Sequence, residues 1–538
     1  MSEKTKRAIK TFEAALLLGV LGDGLLRATP WGLNVLLWTG ALVITLTILL
    51  AKRRKCALKG GGHWLLLSTI LFAAAFAWRD SATLNFLAGF GVLVSLALIA
   101  WRGRGGRIWP AGVAEYVLGI LTACLNAFIY GFPLLFFDVR WRELPLAGWS
   151  RRIKSVIIGA VIAMPLLILF GSLFASADAS FERLINRIFF ADREEIFVHA
   201  LLIGSVAWIA GGYLRGLLFG WKAKLEDGRV TLVPADQIES CVVETVNEDG
   251  PPQSPKPKPI SLGIVEIGTM LGLLNLLFLA FVLLQLRYFF GGAGFVQSSG
   301  GLTYSEYYRR GFFELVWVAA LVLPLLLVAH WLLRKGNPLH ERIFSLLAGT
   351  QILLLFVIMV SAVRRMLLYQ SEYGLTELRL YTTAFMAWLA LVFVWFAATA
   401  LRGRREQFAC GALVTGLLVI AALHVINPDA FIVRVNVAHA RAGRSFDAHY
   451  AASLSEDAMP ALLEALPILN PDCQRVIAAR MLNGSTLPSA NDWRTWNWSR
   501  TQSWRVVQER IEDLREIVSS QSVSVEEAGA SPSSSPER

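Results

Sequence analysis

The sequence predicts an all-α fold, in which a polytopic bundle of membrane-spanning α-helices is followed by a small helical C-terminal soluble domain. Three observations support this prediction: the composition, the length of the apolar segments and the change in character after residue 426. Of the 538 residues, 55% are hydrophobic and only 17% are charged, and the mean hydropathy is +0.53. Because soluble domains contain about 25% charged residues, this composition indicates a chain embedded in a lipid bilayer.

The net charge of +11 does not indicate a nucleic-acid partner, because the basic residues lie beside apolar runs. Residues 427–538 contain 11 arginines, no lysine and 14 acidic residues, a balance of −3, so the preceding 426 residues carry +14. Their basic clusters, such as "KRRK" at 52–55 and "RGRR" at 402–405, follow apolar segments. This position is typical of the cytoplasmic ends of membrane spans, where Lys and Arg are enriched. We therefore expect the lipid bilayer as the main partner and a multi-pass location in the bacterial inner membrane. The oligomeric state is left open.

A transmembrane helix needs about 20 apolar residues to cross a hydrocarbon core of about 30 Å. On this basis we assign eleven spans: 11–27, 31–51, 63–78, 83–101, 155–174, 196–220, 261–289, 311–333, 342–362, 380–400 and 406–426. A further apolar segment, 113–137, leaves two topologies open. If it crosses, the most basic loops lie outside the cytoplasm. If it is re-entrant, broken at Gly131 and Pro133, they lie inside, as the charge rule requires. We favour the second topology, which places the C-terminal domain outside the cytoplasm.

A polar, proline-rich linker at 221–260 divides the membrane region into an N-terminal half, 1–220, and a C-terminal half, 261–426. After residue 426, short amphipathic patterns separated by Asn, Pro and Gly predict a soluble helical domain at 427–517. Its core is expected to include Phe431, Val433, Leu462, Leu463, Ile477 and Leu482. Residues 518–538 are rich in Ser, Pro and Glu, which is typical of a disordered tail.

The sequence lacks the motifs that mark most enzymes and cofactor sites. It contains no HExxH motif, no Walker A loop and no GxSxG elbow. The seven histidines and five cysteines are dispersed, so neither a metal site nor a disulfide framework is expected. We therefore expect no cofactor and no metal, and the sequence assigns no catalytic residue.

Four acidic residues in or near predicted membrane segments are candidates for a functional role, because a charge at the centre of a span costs at least about 2.5–3.5 kcal/mol on insertion scales. They are Asp23, Glu115, Glu266 and Glu314. The three glutamates are close to the ends of their segments, where a carboxylate reaches the headgroups or supports a helix start. Asp23 lies between two glycines, and it is either functional or paired with Arg27 one helical turn away.

The hinge "RRMLLYQSEYGLTELRLY" at 364–381 joins two predicted spans and is unusually polar. Gly374 is suited to the left-handed conformation that reverses a chain, and Thr376 is suited to cap the next helix. These residues explain the turn but not its arginines. Arg379 lies in the first turn of a helix, where the macrodipole disfavours a cation, and on the favoured topology it faces the side where basic residues are sparse.

We therefore predict a polar cluster at this hinge, formed by Asp178, Arg364, Arg365, Glu372, Tyr373 and Arg379. In one hypothesis the arginines form internal ion pairs, with Glu372 or Asp178 as the partner of Arg379. Such a pair would hold the hinge against the loop that follows the span at 155–174. In the other hypothesis the arginines bind an anionic group.

Three stretches carry a recognisable pattern: "LLYQSEYGLTELRLYTTAFMAWLALVFVWF", "PLLILFGSLFASADASF" at 165–181, and "INPDAFIVRVNVAHARAGRSFDAHYAASLSEDAMPALLEAL". Together they resemble a bacterial family of polytopic membrane proteins known as a domain of unknown function (4173), or its close sister family. The resemblance covers roughly 138–470, and its Tyr-Gly-Leu-Thr-x-x-Arg core is its most specific part. It implies a helical membrane fold and no particular activity.

Two functions are compatible with these features. The leading one is an integral membrane protein that is transporter-like or lipid-handling, with a polar cluster between its helices. The alternative is an envelope sensor or assembly scaffold whose C-terminal domain recognises another envelope protein. A third, a membrane-embedded enzyme acting on lipid-linked substrates, has no catalytic signature in the sequence. A cavity that joins Asp23, Glu266 or Glu314 to either membrane face would favour the first, and an exposed apolar groove on the domain would favour the second.

Overall fold

The computed structural model describes the residues in ten stretches: 3–51, 62–103, 112–138, 194–219, 221–226, 229–234, 263–290, 312–333, 338–484 and 492–519. Within these stretches the chain is almost wholly helical. Eight of the described helices are long and apolar enough to cross a membrane, and two more are shorter apolar helices. The prediction of an all-α, multi-pass membrane protein is thereby confirmed.

The N-terminal half contributes six helices to the bundle: α1 (Glu3–Leu26), α2 (Leu33–Ala51), α3 (His63–Trp78), α4 (Ala82–Gly103), α5 (Val113–Ile129) and α6 (Glu194–Phe219). Of these, α2, α4 and α6 are among the eight long apolar helices, and α3 and α5 are the two shorter ones. The chain remains helical beyond α5, as a short turn at Gly131–Pro133 and a π-helical turn at Leu134–Asp138. The helix geometry changes where the sequence contains Gly131 and Pro133, as their weak helix propensity predicts.

The C-terminal half contributes five further membrane helices: α7 (Ile264–Phe290), α8 (Phe312–Leu332), α9 (Pro338–Tyr373), α10 (Glu377–Thr399) and α11 (Phe408–Ile426). Before them, the start of the linker forms an antiparallel hairpin of β1 (Trp221–Glu226) and β2 (Arg229–Pro234), which the sequence analysis did not predict. Helix α9 has 36 residues and is about 54 Å long, more than a bilayer core requires. The span assigned from the sequence ends at residue 362, just before Arg364 and Arg365. In the structure the helix continues past both arginines to Tyr373.

Two apolar clusters form the interior of the bundle. One is formed mainly by α7, α8, α9 and α10, with Phe344, Phe393 and Phe396 fully buried, and it also includes Phe408 of α11. The other consists of residues from α1 to α6 and includes Ala409 and Cys410, from the beginning of α11. The last membrane helix therefore packs against the N-terminal half as well, although it belongs to the C-terminal half in sequence.

The C-terminal domain is a set of short helices: α12 (Pro428–Arg441), α13 (Ala448–Ser453), α14 (Met459–Ala465), α15 (Pro471–Gly484), α16 (Trp498–Glu509) and α17 (Ile511–Ser519). Its helical nature was predicted, and so were the buried core residues Val433, Leu462 and Ile477. Leu463 and Leu482 are partly buried and pack against that core. The prediction for Phe431 is wrong: it is 39% exposed, because α12 turns its neighbours Ala430 and Val433 inward instead.

The C-terminal domain contacts one end of the bundle, which we call the domain end. Helix α1 ends there and α6 begins there, since Asp23 and His199 lie 2.5 Å apart, whereas Gly103 of α4 lies against Leu217 at the other end. The chain thus changes ends between residues 103 and 194, as the topology without a full crossing at 113–137 requires. Because residues 139–193 lie outside the described residues, that topology stays a prediction.

Candidate functional site

Arg379 uses its guanidinium to cap the preceding helix. Its Nη1 donates to the carbonyl oxygens of Tyr373, at 3.3 Å, and Gly374, at 2.5 Å, and its Cζ lies 4.1 Å from the centroid of the Tyr369 ring. The cation is therefore placed at the C-terminus of α9, where the macrodipole is negative, although it belongs to the first turn of α10. This contact resolves the apparent conflict in the sequence, because the two helix ends lie side by side.

The predicted ion pair between Arg379 and Glu372 is wrong. Glu372 instead lies 3.3 Å from Arg444 of the C-terminal domain, in an exposed ion pair. The other proposed partner, Asp178, lies outside the described residues. Tyr373 is 51% exposed and packs against Tyr369, with ring centroids 4.9 Å apart. Arg364 and Arg365 lie about two turns before the end of α9, so the described members of the predicted cluster lie at or near this helix end.

Replacement of Arg379 by alanine is expected to destabilise the hinge by roughly 1–2 kcal/mol, because it removes the helix cap and the cation–π contact. The measurement is thermal unfolding of the purified protein in detergent. The charge swap Arg379→Glu with Glu372→Arg should not restore stability, because Glu372 contacts Arg444. Restoration by that swap would contradict the capping role and support the original ion pair.

Asp23 forms a buried contact between two membrane helices. Its Oδ2 lies 2.5 Å from Nδ1 of His199 on α6, and the Nη1 of Arg27 approaches the other ring nitrogen of His199. Asp23 is 9% exposed, and its Oδ1 has no hydrogen-bond partner among the described residues. The expected local partner Arg27 is therefore connected to Asp23 through a histidine that the sequence analysis did not select.

The three glutamates selected with Asp23 each lie in the first turn of a helix: Glu115 in α5, Glu266 in α7 and Glu314 in α8. A carboxylate there interacts favourably with the positive end of the macrodipole. Glu266 and Glu314 are exposed and Glu115 is half-buried. These positions agree with the interpretation that the glutamates support helix starts near the membrane surface.

The turn between α3 and α4 is completed by the C-terminal domain. It has only three residues, 79–81, so the two helices cannot satisfy their own terminal groups. The Asp457 carboxylate accepts hydrogen bonds from the backbone nitrogens of Asp80, at 2.7 Å, and Ser81, at 2.9 Å. Asn497 donates its side-chain amide to the carbonyl oxygens of Phe76, at 2.8 Å, and Arg79, at 2.9 Å. The domain thus caps the C-terminus of α3 and the N-terminus of α4.

Two further turns at the domain end are held in the same way. Between α1 and α2, the backbone nitrogen of Leu33 donates to the carbonyl of Trp496 at 2.9 Å, and a Cβ on Gly32 would lie 2.4 Å from that oxygen. Between α9 and α10, the Asn436 side chain forms hydrogen bonds of 2.7 and 2.9 Å with both backbone groups of Leu375. The domain therefore fastens the ends of six membrane helices, and we call this set of contacts the clasp.

At the turn between α9 and α10, some features of the clasp had been predicted from the sequence and others had not. Gly374 has a φ of 74°, as predicted, and Thr376 is at the N-cap position of α10. However, the Thr376 side chain makes no capping hydrogen bond; the backbone nitrogen of Glu377 donates instead to the hydroxyl of Tyr450, at 2.7 Å. The brevity of the turns was a signal that their helix ends needed outside partners, but it did not identify those partners.

The centre of the clasp contains an ion pair and a second buried carboxylate. Arg79 Nη1 lies 3.4 Å from Asp457, and their side chains are 13% and 0% exposed. Asp429 is 1% exposed and accepts from the Ser455 hydroxyl through Oδ2. Burial raises the pKa of Asp429 to about 6, with the nearby carboxylates Glu377 and Asp457 adding to the effect.

The raised pKa of Asp429 predicts a pH-dependent stability. Because the folded protein binds this proton more tightly than the unfolded chain, whose carboxyl titrates near 3.8, stability falls as the pH rises from about 4 to about 6. Asp429→Asn should therefore raise the free energy of unfolding above pH 6, by up to roughly 3 kcal/mol. Thermal unfolding at several pH values provides the measurement. The exposed Asp472→Asn is the control, and an identical pH profile for Asp429→Asn and the native protein would contradict the assignment.

An apolar cleft of about 550 Å³ lies between α3 and α11. Its lining is apolar except for Ser68 and His424. Leu71 and Leu418 on its walls are 60% and 62% exposed, so the cleft is open along one side. At the domain end, Arg79 Nε donates to the carbonyl of His424 at 2.8 Å, which connects the cleft to the clasp.

A smaller cavity of about 220 Å³ lies within the clasp itself. Asp80 and Pro30 line it from the membrane helices, and Glu456, Arg480 and Arg500 line it from the domain. Burial raises the pKa of Asp80 above its ordinary value, against the opposing effect of Arg500. At the domain end of the bundle, this charged cavity therefore lies close to the end of the apolar cleft.

Comparison with known proteins identifies a family for this chain but no individual relative. The family model described as Domain of unknown function (DUF4153) matches residues 66–465. This range begins in α3 and ends in α14, so it contains the hinge and all of the cleft except Trp64, whereas the clasp residues Trp496 and Asn497 lie outside it. Searches of curated proteins and of solved structures give no match.

Proposed function

The chain belongs to the family described as a domain of unknown function (DUF4153), and from this premise we propose that it is a lipid-handling protein of the bacterial inner membrane. The observation that carries the proposal is the cleft between α3 and α11. We infer that this cleft holds one acyl chain of a membrane lipid, with the headgroup near the clasp.

The chemistry of the cleft favours a hydrocarbon chain as its occupant. It lies between two apolar helices, and its open side is lined by leucines, so water gains few hydrogen bonds there. The cleft extends from Trp64 to Trp78 along α3, a rise of about 21 Å. One leaflet of the hydrocarbon core is about 15 Å thick, so a single acyl chain fits along this length.

The domain end of the cleft favours an anionic headgroup. Trp78 and His424 form this end, and the guanidinium of Arg79 lies 4.6 Å from the centroid of the Trp78 ring. An aromatic ring beside a cation at the level of the helix ends is typical of a headgroup region. The clasp holds Arg79 to Asp457, so a headgroup there would contact both the bundle and the domain.

The test is a photoreactive phospholipid with a diazirine in its acyl chain, applied to the full-length protein in nanodiscs. We expect labelled peptides from α3 and α11. Ala421→Trp places an indole in the cleft and should reduce this labelling severalfold. The matched control is Ala422→Trp, because Ala422 is the next residue on α11, is also exposed and does not line the cleft. Equal labelling of all lipid-facing helices, unchanged by Ala421→Trp, would refute the proposal.

The envelope scaffold remains a second proposal, on a separate observation. Trp493 and Trp498 of the C-terminal domain are 62% and 49% exposed, and large exposed aromatic side chains are typical of recognition surfaces. A scaffold would lose a specific protein partner in the double variant Trp493→Ala and Trp498→Ala while acyl-chain labelling stayed unchanged. If the double variant changes neither partner binding nor acyl-chain labelling, the two tryptophans contact the lipid interface and not a partner protein.

A further inference from the structure

The charged cavity in the clasp is large enough for a small polar ligand. Its volume of about 220 Å³ equals that of about seven water molecules at roughly 30 Å³ each. It lies where the domain meets two membrane turns, since Pro30 belongs to the α1–α2 turn and Asp80 to the α3–α4 turn. A ligand here is therefore at the level of the lipid headgroups and in contact with both parts of the protein.

The lining carries both signs of charge. Arg500 Nε lies 3.2 Å from Asp80 Oδ1, and Arg480 Nη2 lies 3.3 Å from Glu456 Oε1. Two carboxylates and two guanidinium groups therefore surround one small space. A small cation would be repelled by the two guanidinium groups, and a small anion would be repelled by the two carboxylates. A ligand with separated positive and negative ends would match both kinds of group.

Arg500 provides the strongest indication of a missing partner. The residue is 7% exposed, and its Nη2 donates to the carbonyl oxygen of Trp31 at 2.9 Å. Its Nη1 has no hydrogen-bond partner among the described residues. Because a buried donor without a partner is costly and a guanidinium matches the oxygens of a phosphate, Arg500, which lines the cavity, favours a phosphate at its side of the cavity.

The remaining lining favours an amine. Trp504, which is half-buried, lines the cavity together with Asp80 and Glu456. An indole ring beside carboxylates is a favourable environment for an ammonium group, through cation–π and ionic attraction. These groups complement the phosphate preference of Arg500 within one cavity.

We propose that this cavity binds a zwitterionic group that carries a phosphate and an amine, the chemistry of ethanolamine phosphate. The source is either a lipid headgroup or its soluble glycerol ester. This site is separate from the acyl-chain cleft, and the inference does not rest on the function proposed for that cleft.

The test uses the full-length protein in detergent and the soluble probe glycerophosphoethanolamine, with binding measured by calorimetry. We expect it to bind at least about tenfold more tightly than glycerol phosphate, which lacks the amine, or ethanolamine, which lacks the phosphate. Absence of glycerophosphoethanolamine binding at millimolar concentration would overturn the proposal. Equal binding of glycerol phosphate would also overturn it, since it would show an anion site only.

Variants then locate the site. Arg500→Gln should weaken binding by about tenfold or more, whereas Arg515→Gln, on the exposed surface of α17, should not change it. If Arg500→Gln does not fold, Trp504→Leu tests the amine end, and unchanged binding in Trp504→Leu would refute the site. Because the probe has no acyl chain, its failure would leave the proposal for the α3–α11 cleft intact.

Nanodiscs distinguish the two sources of the ligand. If the lipid headgroup occupies the cavity, nanodiscs of phosphatidylethanolamine should block the soluble probe, and nanodiscs of phosphatidylglycerol should leave it able to bind. Equal binding in both would identify the soluble ester as the ligand. Absence of binding in both types of nanodisc would refute the site in a membrane.

Discussion

Asp457→Ala is expected to lower the free energy of unfolding by roughly 3–5 kcal/mol, the largest effect of any single substitution proposed for this protein. The Asp457 side chain is fully buried, and it accepts hydrogen bonds from the backbone nitrogens of Asp80 and Ser81. Its removal leaves these two amides and the Arg79 guanidinium without their partner. The N-terminus of α4 then loses its cap, and the C-terminal domain loses its main contact with the α3–α4 turn.

The measurement combines thermal unfolding in detergent with limited proteolysis, because a detached domain is expected to be cleaved before the bundle unfolds. The matched control is Asp472→Ala on α15. The Asp472 side chain is 83% exposed and forms only an ion pair with Arg475 one turn away, so its loss should cost less than about 1 kcal/mol. Equal effects of the two substitutions would contradict the role of Asp457 as a cap.

Asn497→Ala is expected to destabilise the protein by about 3 kcal/mol. The Asn497 side chain is 1% exposed and makes three hydrogen bonds, each worth about 1 kcal/mol. Two are donated to the carbonyl oxygens of Phe76 and Arg79, at the end of α3. The third is accepted from the backbone nitrogen of Arg500 at 3.1 Å, so one asparagine caps a membrane helix and a domain helix together.

Asn470, another asparagine of the domain, is the matched control, because it caps a domain helix and no membrane helix among the described residues. Asn470 caps only its own helix, α15, by accepting from the backbone nitrogen of Cys473 at 2.8 Å. Asn470→Ala should therefore cost about 1 kcal/mol, the usual value of an N-cap. If both asparagines cost the same in thermal unfolding, the contacts of Asn497 with α3 would contribute nothing, and the clasp would not stabilise the bundle.

Both substitutions remove contacts with the α3–α4 turn, which adjoins the two candidate sites. Arg79 takes part in the ion pair with Asp457 and in the hydrogen bond to His424 at the end of the acyl-chain cleft. Asp80, the next residue, lines the charged cavity. Both candidate sites therefore adjoin the same α3–α4 turn.

The hinge at 363–379 illustrates how far local sequence reasoning reaches. Gly374 was correctly expected in the left-handed region, because only backbone sterics decide that conformation. Arg379 was expected to need a carboxylate or another anionic group, since it is a cation at the start of a helix. The carbonyl groups that it binds are close in sequence, but their accessibility depends on how α9 and α10 lie beside each other, which residue spacing does not reveal.

The membrane class of the chain and its helical nature were predictable from the sequence. These properties follow from apolar length, charge and capping residues, which act over a few neighbouring residues. The packing of α11 against the N-terminal half became visible in the folded chain, as did the capping of membrane helices by Asp457 and Asn497, which lie more than 370 residues later in the sequence. Unsatisfied backbone groups at a helix end accept any correctly placed partner, so the sequence shows the need for a cap, and the folded chain selects the residue that provides it.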